Sequence, residues 1–196
     1  MNYPGTFVII VGAAGSGKGV LIRRAKELHP EIVFAVSATT RTIRPGETDG
    51  HPYHFLSKEA FEARIESGDF LEWAAIDGGK LYGTPKEEVI PVLMSGGIVL
   101  KEMEVQGVHQ VQQILPKENL VTVYIDAGPW ESLSKRIQGR APISAEELES
   151  RRLRFEYEKS FKDEATYVVE NLDGRFDEAD AAFADIISGV ITGAKQ

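Results

Sequence analysis

Apolar positions along the chain fall into short runs that alternate with stretches of helical spacing. Thr6–Val11 is a run rich in β-branched residues and predicts a buried strand. Residues 20–28 follow with Leu21, Ile22, Ala25 and Leu28 at helical spacing, and Pro30 ends that helix. Residues 33–37 predict a short second strand. Between 38 and 84 the rhythm breaks. Short strands at 53–56 and 70–76 flank a helix at 58–67, which reads as an inserted mixed α+β subdomain. Thr84-Pro85-Lys86-Glu87 then predicts a helix start, with Thr84 as cap, Pro85 in the first turn and Glu87 completing a capping box. Gly96-Gly97 ends this helix after Ser95. A strand at 98–100, a helix at 105–115, a strand at 120–125 and a helix at 130–138 come next. A polar, Gly/Pro-containing break at 139–145 precedes a charged helix at 146–162, and a strand at 167–170 and a helix at 176–191 close the chain. About five core strands separated by helices predict the α/β class with a parallel sheet flanked by helices.

The first strand runs into Gly12-Ala13-Ala14-Gly15-Ser16-Gly17-Lys18-Gly19-Val20, which contains the G-x-x-x-x-G-K core of a phosphate-binding loop. Glycines let the backbone curl so that successive N–H groups converge on one anion. The N-terminus of the following helix and the Lys18 charge add to that field. An ordinary Gly-rich β-to-α turn is the bland alternative, and strand, loop, lysine and helix in this order weigh against it. The usual loop follows its lysine with Ser or Thr, whose hydroxyl ligates Mg²⁺; here Gly19 and Val20 offer none.

Charge narrows the field of partners. A net charge of −8 does not suit a broad basic face, so no nucleic-acid partner is expected, and phosphate must be met by arginines gathered locally. With no cysteine there are no disulfides or thiolate metal sites, in keeping with a reducing compartment. The start of the chain has no signal-peptide pattern and no apolar run reaches membrane length, so a cytoplasmic protein without a membrane partner is expected.

Further along, Ser37–Glu47 places Arg41 and Arg44 three residues apart among hydroxyls, a pattern able to hold a second phosphate or simply to solvate a loop. Tyr53, Glu72, Tyr82 and Thr84 lie at short-strand ends and turns, where each alone reads as a turn signal or core aromatic rather than a ligand group. Glu102 and Glu104 fall at the carboxyl end of a core strand, the edge where open parallel sheets bind ligands, or else form a helix-entry cap. Arg136, Arg140, Arg151 and Arg152 border the break at 139–145, placed to close over a transferring phosphate or to form surface pairs. His51 and His54 have no third ligand, which argues against zinc.

Together these segments resemble the guanylate kinase family over nearly the whole chain. The motifs are the loop, S-x-T-T-R-x-x-R-x-G-E at Ser37–Glu47, D-G-x-x-Y-x-F at Asp49–Phe55 and F-L-E-W at Phe70–Trp73. Y-G-T at Tyr82–Thr84, the acidic V-Q-G segment, Gly139-Arg140 and V-V-x-N ending at Asn171 complete them. The resemblance implies a kinase that moves the γ-phosphate of ATP onto GMP, and onto dGMP, with Mg²⁺. It implies a core at 1–37 and 85–196, a GMP-binding subdomain at 38–84 and a lid at about 139–152. By that pattern Arg41, Arg44, Tyr53 and Tyr82 grip the GMP phosphate, and Ser37, Glu72, Thr84 and Glu104 meet guanine. Glu102 falls near the nucleotide and metal, and Lys18 holds the β- and γ-phosphates. Arg136, Arg140 and Arg152 act from the lid side. Asn171 lies beside adenine. Mg²⁺ is held mainly by ATP and water, with Glu102 or Glu104 as the protein carboxylates, and the enzyme is a monomer or homodimer.

The chain departs from the family pattern in four places: Glu104 stands where Asp is usual, one extra residue separates Trp73 from Tyr82, the lid is slightly longer, and the loop hydroxyl is missing. The last departure supports an alternative, a catalytically impaired guanylate-kinase-like binding module.

Overall fold

The computed structural model describes residues 2–76, 78–139 and 143–193. Strand β1 (Thr6–Val11) has no exposed surface from Phe7 to Val11, and it feeds through the glycine loop into α1 (Lys18–Leu28). Then come β2 (Val33–Phe34), β3 (Ser37–Thr39), β4 (Tyr53–Phe55), α2 (Lys58–Glu66), β5 (Phe70–Ile76), β6 (Lys80–Pro85) and α3 (Lys86–Met94). The remainder is β7 (Ile98–Glu102), α4 (Val105–Ile114), β8 (Leu120–Asp126), α5 (Trp130–Gln138), α6 (Ala145–Ser160), β9 (Tyr167–Glu170) and α7 (Phe176–Ile191). Five strands form one sheet in the order β2-β7-β1-β8-β9, and β2 with β7 and β8 with β9 pair in parallel. Four strands form a second sheet in the order β4-β3-β6-β5. No helix among the described residues is long and apolar enough to cross a membrane.

The chain divides into two compact units. One comprises Met1–Phe7, Val33–Lys101 and Gln106–Leu120, and the other Val8–Ile32, Glu102–Val105 and Val121–Gln196. In the first, Ala38, Phe61, Phe70 and Leu81 form a core under the four-stranded sheet, and the Phe61 and Phe70 rings stack at 4.4 Å. In the second, Ala13, Ala127, Leu133, Ile137 and Phe155 pack together beside the loop.

Two local expectations are corrected. The strand predicted at 33–37 is two strands, β2 and β3, in different sheets. Side chains interrupt the ladder between them: the Val36 N–H donates to the Glu88 carboxylate at 3.0 Å, and the Ala35 carbonyl accepts from Lys101 at 3.1 Å. Thr84 does not cap α3. It lies in β6, a strand the apolar pattern did not reveal, and its hydroxyl donates to Glu72, leaving Pro85 at the helix N-cap with no side-chain cap bond. Helix α1 ends at Leu28 as expected, with Leu28 itself 63% exposed.

Candidate functional site

The loop in the second unit is shaped by positions that tolerate no side chain. Gly12 has φ +143°, and a Cβ there would lie 2.6 Å from the Ile125 carbonyl oxygen. Gly17 has φ +96°, and its Cβ would lie 2.2 Å from the Asn171 amide nitrogen. That amide donates to the Ser16 carbonyl at 2.7 Å, so Asn171 clasps the loop from a position 155 residues away. Because Gly17 is the N-cap and brings no side chain, the N–H groups opening α1 keep their capacity for an anion.

Lys18 is buried, and its ammonium donates to the Gly12 carbonyl and, at 3.0 Å, to the Ala13 carbonyl. Glu102 lies 3.4 Å from it. Ala14, Gly15, Gly17, Lys18, Gly19, Val20, Arg23 and Glu102 line a cavity of about 500 Å³. The cavity therefore brings together the predicted lysine, loop glycines and one of the two strand-end carboxylates. The other, Glu104, lies 3.8 Å from Arg154 of α6. The Ser16 hydroxyl is buried and has no hydrogen-bond partner among the described residues.

Glu158, near the end of α6, adds a buried carboxylate to this charged group. Burial first, and then the negative charges of Glu104 and Glu102, push its carboxyl up to about 7, against the pull of Lys18 and Arg154.

In the first unit, sheet register assembles the other predicted residues. Ser37 pairs with Tyr53 across β3 and β4, and Glu72 pairs with Thr84 across β5 and β6. Thr84 has no exposed surface, and its hydroxyl donates to the Glu72 carboxylate at 2.5 Å. Ser37 accepts a hydrogen bond from Lys101 at 2.6 Å. Arg41 is 8% exposed and donates to both oxygens of Glu47, at 3.0 and 2.9 Å. Its guanidinium lies 5.3 and 5.4 Å from the ring centroids of Tyr53 and Phe55. Tyr82 meets Tyr53 edge to face at 5.7 Å and also borders Arg41. The Arg41 side chain, then the Arg44 backbone N–H, hold the Glu47 carboxyl below the usual carboxylate range.

The lid-side arginines divide. Arg136 donates to Asp173 at 2.7 Å and to the Asn171 carbonyl at 2.9 Å, so it braces the residue that clasps the loop. Arg151 pairs with Glu147 at 2.6 Å, and Arg152 lies 4.0 Å from Glu149, both partners belonging to the same helix. Arg140 lies outside the described residues. His54 bonds Glu88 at 2.9 Å.

Four residues near these groups escaped the sequence reading: Arg23, Glu47 as an arginine partner, Lys101 and Glu158. Lys101 had a signal, since it breaks the apolar run of its strand. Glu158 had none, because the stretch around it reads as a solvated helix.

A family model described as "Guanylate kinase" matches residues 5–189. Guanylate kinase of Rubrobacter xylanophilus is 37% identical over 189 residues, covering 96% of both chains. Guanylate kinase of Rhodococcus jostii is 40% identical over 170 residues, covering 86% of this chain and 81% of its own. A crystal structure of guanylate kinase from Anaplasma phagocytophilum superposes with a TM-score of 0.70 at 22% identity, covering 100% of this chain and 89% of that one.

Proposed function

Because the chain belongs to the guanylate kinase family, we propose how its residues share the work of the family's reaction. It is an ATP-dependent nucleoside monophosphate kinase that transfers the γ-phosphate of ATP to GMP, giving ADP and GDP. A GMP phosphate oxygen forms the new bond to the γ-phosphorus as the bond to the β-phosphate oxygen breaks. Little covalent work falls to the protein, so its task is to position both nucleotides and to meet the charge that develops.

In our assignment the backbone from Gly12 to Val20 and Lys18 receive the ATP phosphates, with Asn171 holding the loop and lying beside adenine. Lys18 exchanges its bonds to loop carbonyls for bonds to phosphate oxygens. Arg41, Arg44, Tyr53 and Tyr82 take the GMP phosphate. Glu47 and the flanking rings hold the Arg41 guanidinium in one plane, so its remaining N–H groups are presented at little entropic cost. Ser37, Glu72, Thr84 and Glu104 serve guanine, and Arg136, Arg140 and Arg152 serve the transferring group. We divide the chain accordingly into a core at 1–37 and 85–196, a lid at about 139–152 and a GMP-binding subdomain at 38–84.

The observation that carries the base assignment is the Glu72 carboxylate, held by the buried Thr84 hydroxyl. Guanine offers N1–H and a 2-amino group as paired donors to a carboxylate, and adenine does not.

Mg²⁺ fits the cavity's oxygen donors. It is commonly held by one or two carboxylates together with substrate phosphates and water, and Glu102 lines the cavity, with Glu104 two residues on. Bound with ATP, the ion supplies charge neutralisation at the phosphate oxygens. A cytoplasmic enzyme, monomeric or homodimeric and without nucleic-acid partners, accords with these substrates and with the net charge of −8.

The test is a coupled assay of ADP formation with ATP and Mg²⁺, offering GMP, dGMP, AMP, UMP and CMP in turn. Turnover is expected with GMP and dGMP and should be absent in a Lys18→Ala control. No turnover above that control with GMP would overturn the reading.

A further inference from the structure

The loop lacks a hydroxyl after its lysine, and a neighbouring guanidinium lies over the vacant place. Apart from its chain neighbours and the backbone of its own helix, a Cβ built on Gly19 would find one heavy atom within 4 Å among the described residues, the Arg23 Nη1 at 3.9 Å. Arg23 stands four residues further along α1, one turn on, and helical side chains lean toward the N-terminus, so its reach back over Gly19 follows from helix geometry. Arg23 lines the same cavity as Lys18 and Glu102. The other cations nearby already have partners in this structure: Lys18 bonds two loop carbonyls and lies beside Glu102, and Arg24 pairs with Asp180 at 3.0 Å. Among the described residues the Arg23 guanidinium has no ion-pair or hydrogen-bond partner.

We propose that Arg23 is a further polyphosphate-binding residue, its guanidinium meeting the terminal phosphates of ATP from the side where the loop hydroxyl would stand. A guanidinium suits this place because it offers several N–H donors in a fixed plane to phosphate oxygens. The inference rests on the reading that the loop holds ATP, and it puts a cationic phosphate contact on the side where a metal-ligating hydroxyl is missing.

Calorimetric titration of the full chain with a non-hydrolysable ATP analogue, with inorganic tripolyphosphate and with GMP tests it. Arg23→Gln is expected to weaken the analogue and tripolyphosphate about tenfold, the scale of a lost hydrogen bond to a charged group, and to leave GMP unchanged. Arg24→Gln removes the same charge one residue away and is expected to change nothing. Unaltered tripolyphosphate affinity in Arg23→Gln, an equal loss in Arg24→Gln, or an equal loss for GMP overturns the proposal, as does an unsubstituted chain that binds neither phosphate probe. A chain that binds tripolyphosphate through Arg23 yet turns over no GMP refutes the kinase reading and leaves the Arg23 assignment standing.

Discussion

The phosphate loop and the sheet around Arg41 and Glu72 build anion and base recognition by opposite means. The loop relies on backbone: glycines at positive φ, an uncapped helix start and a lysine held against carbonyls of its own turn. The sheet relies on side chains that hold one another, Arg41 by Glu47 and Glu72 by Thr84. Their carboxylates behave accordingly. Glu47 is drawn below its usual range by the arginine it accepts from, while Glu158 near the loop is pushed up by burial and like charge. A backbone-built site can thus lose a side chain, as at Gly19 and Val20, and keep its donors. A side-chain-built site fails when either partner is removed.

The contrast breaks most readily on the sheet side. Glu72→Ala should lower GMP affinity about 10- to 100-fold and leave ATP affinity within about twofold in equilibrium titrations. Thr84→Val, which removes only the hydroxyl that positions the carboxylate, should cost GMP a smaller factor. Equal losses for both nucleotides would contradict the assigned pocket.

Glu158 gives the next largest effect, in stability. Its carboxyl rises from 4.5 to about 7 on folding, so the native state holds the proton more tightly than the unfolded chain. Stability therefore falls as pH rises from about 4.5 through about 7, where the folded protein must carry a buried charge. Glu158→Gln should be more stable than the parent at pH 8 by on the order of 2 kcal/mol in urea unfolding, with most of the gain gone at pH 5. A variant less stable at pH 8 would show that the ionised carboxylate is worth more to its neighbours than it costs to bury.

The smallest effect tests the loop's independence from side chains. Val20→Thr returns a hydroxyl to the cavity lining and should raise turnover or Mg²⁺ affinity, by about two- to fivefold, in an Mg²⁺ titration of the steady-state rate. No change in either would mean that the hydroxyl is not needed in this chain.

Legibility followed the same division. Local signals sufficed for β1, the loop and α1, because an apolar run, spaced glycines and a lysine constrain one another within a few residues. Strands β5 and β9 and helices α5 and α7 were read to their observed ends for similar reasons. The sheet side was harder. Thr84-Pro85-Lys86-Glu87 has the local form of a capping box, yet pairing with β5 gives the hydroxyl to Glu72, a competitor twelve residues away. The split of 33–37 depended on Glu88 and Lys101 reaching into the ladder from distant positions.

By itself the sequence determined the order of elements, the phosphate loop and the family motifs, since each rests on residue types at short fixed spacing. Only the tertiary structure decided which partner each polar group takes: Asn171 on the Ser16 carbonyl, Lys101 on Ser37, Arg41 on Glu47 and Arg23 over Gly19. A polar side chain has several possible partners in the unfolded chain. Burial and strand register narrow them to a few, and they are set by contacts between residues far apart in the chain.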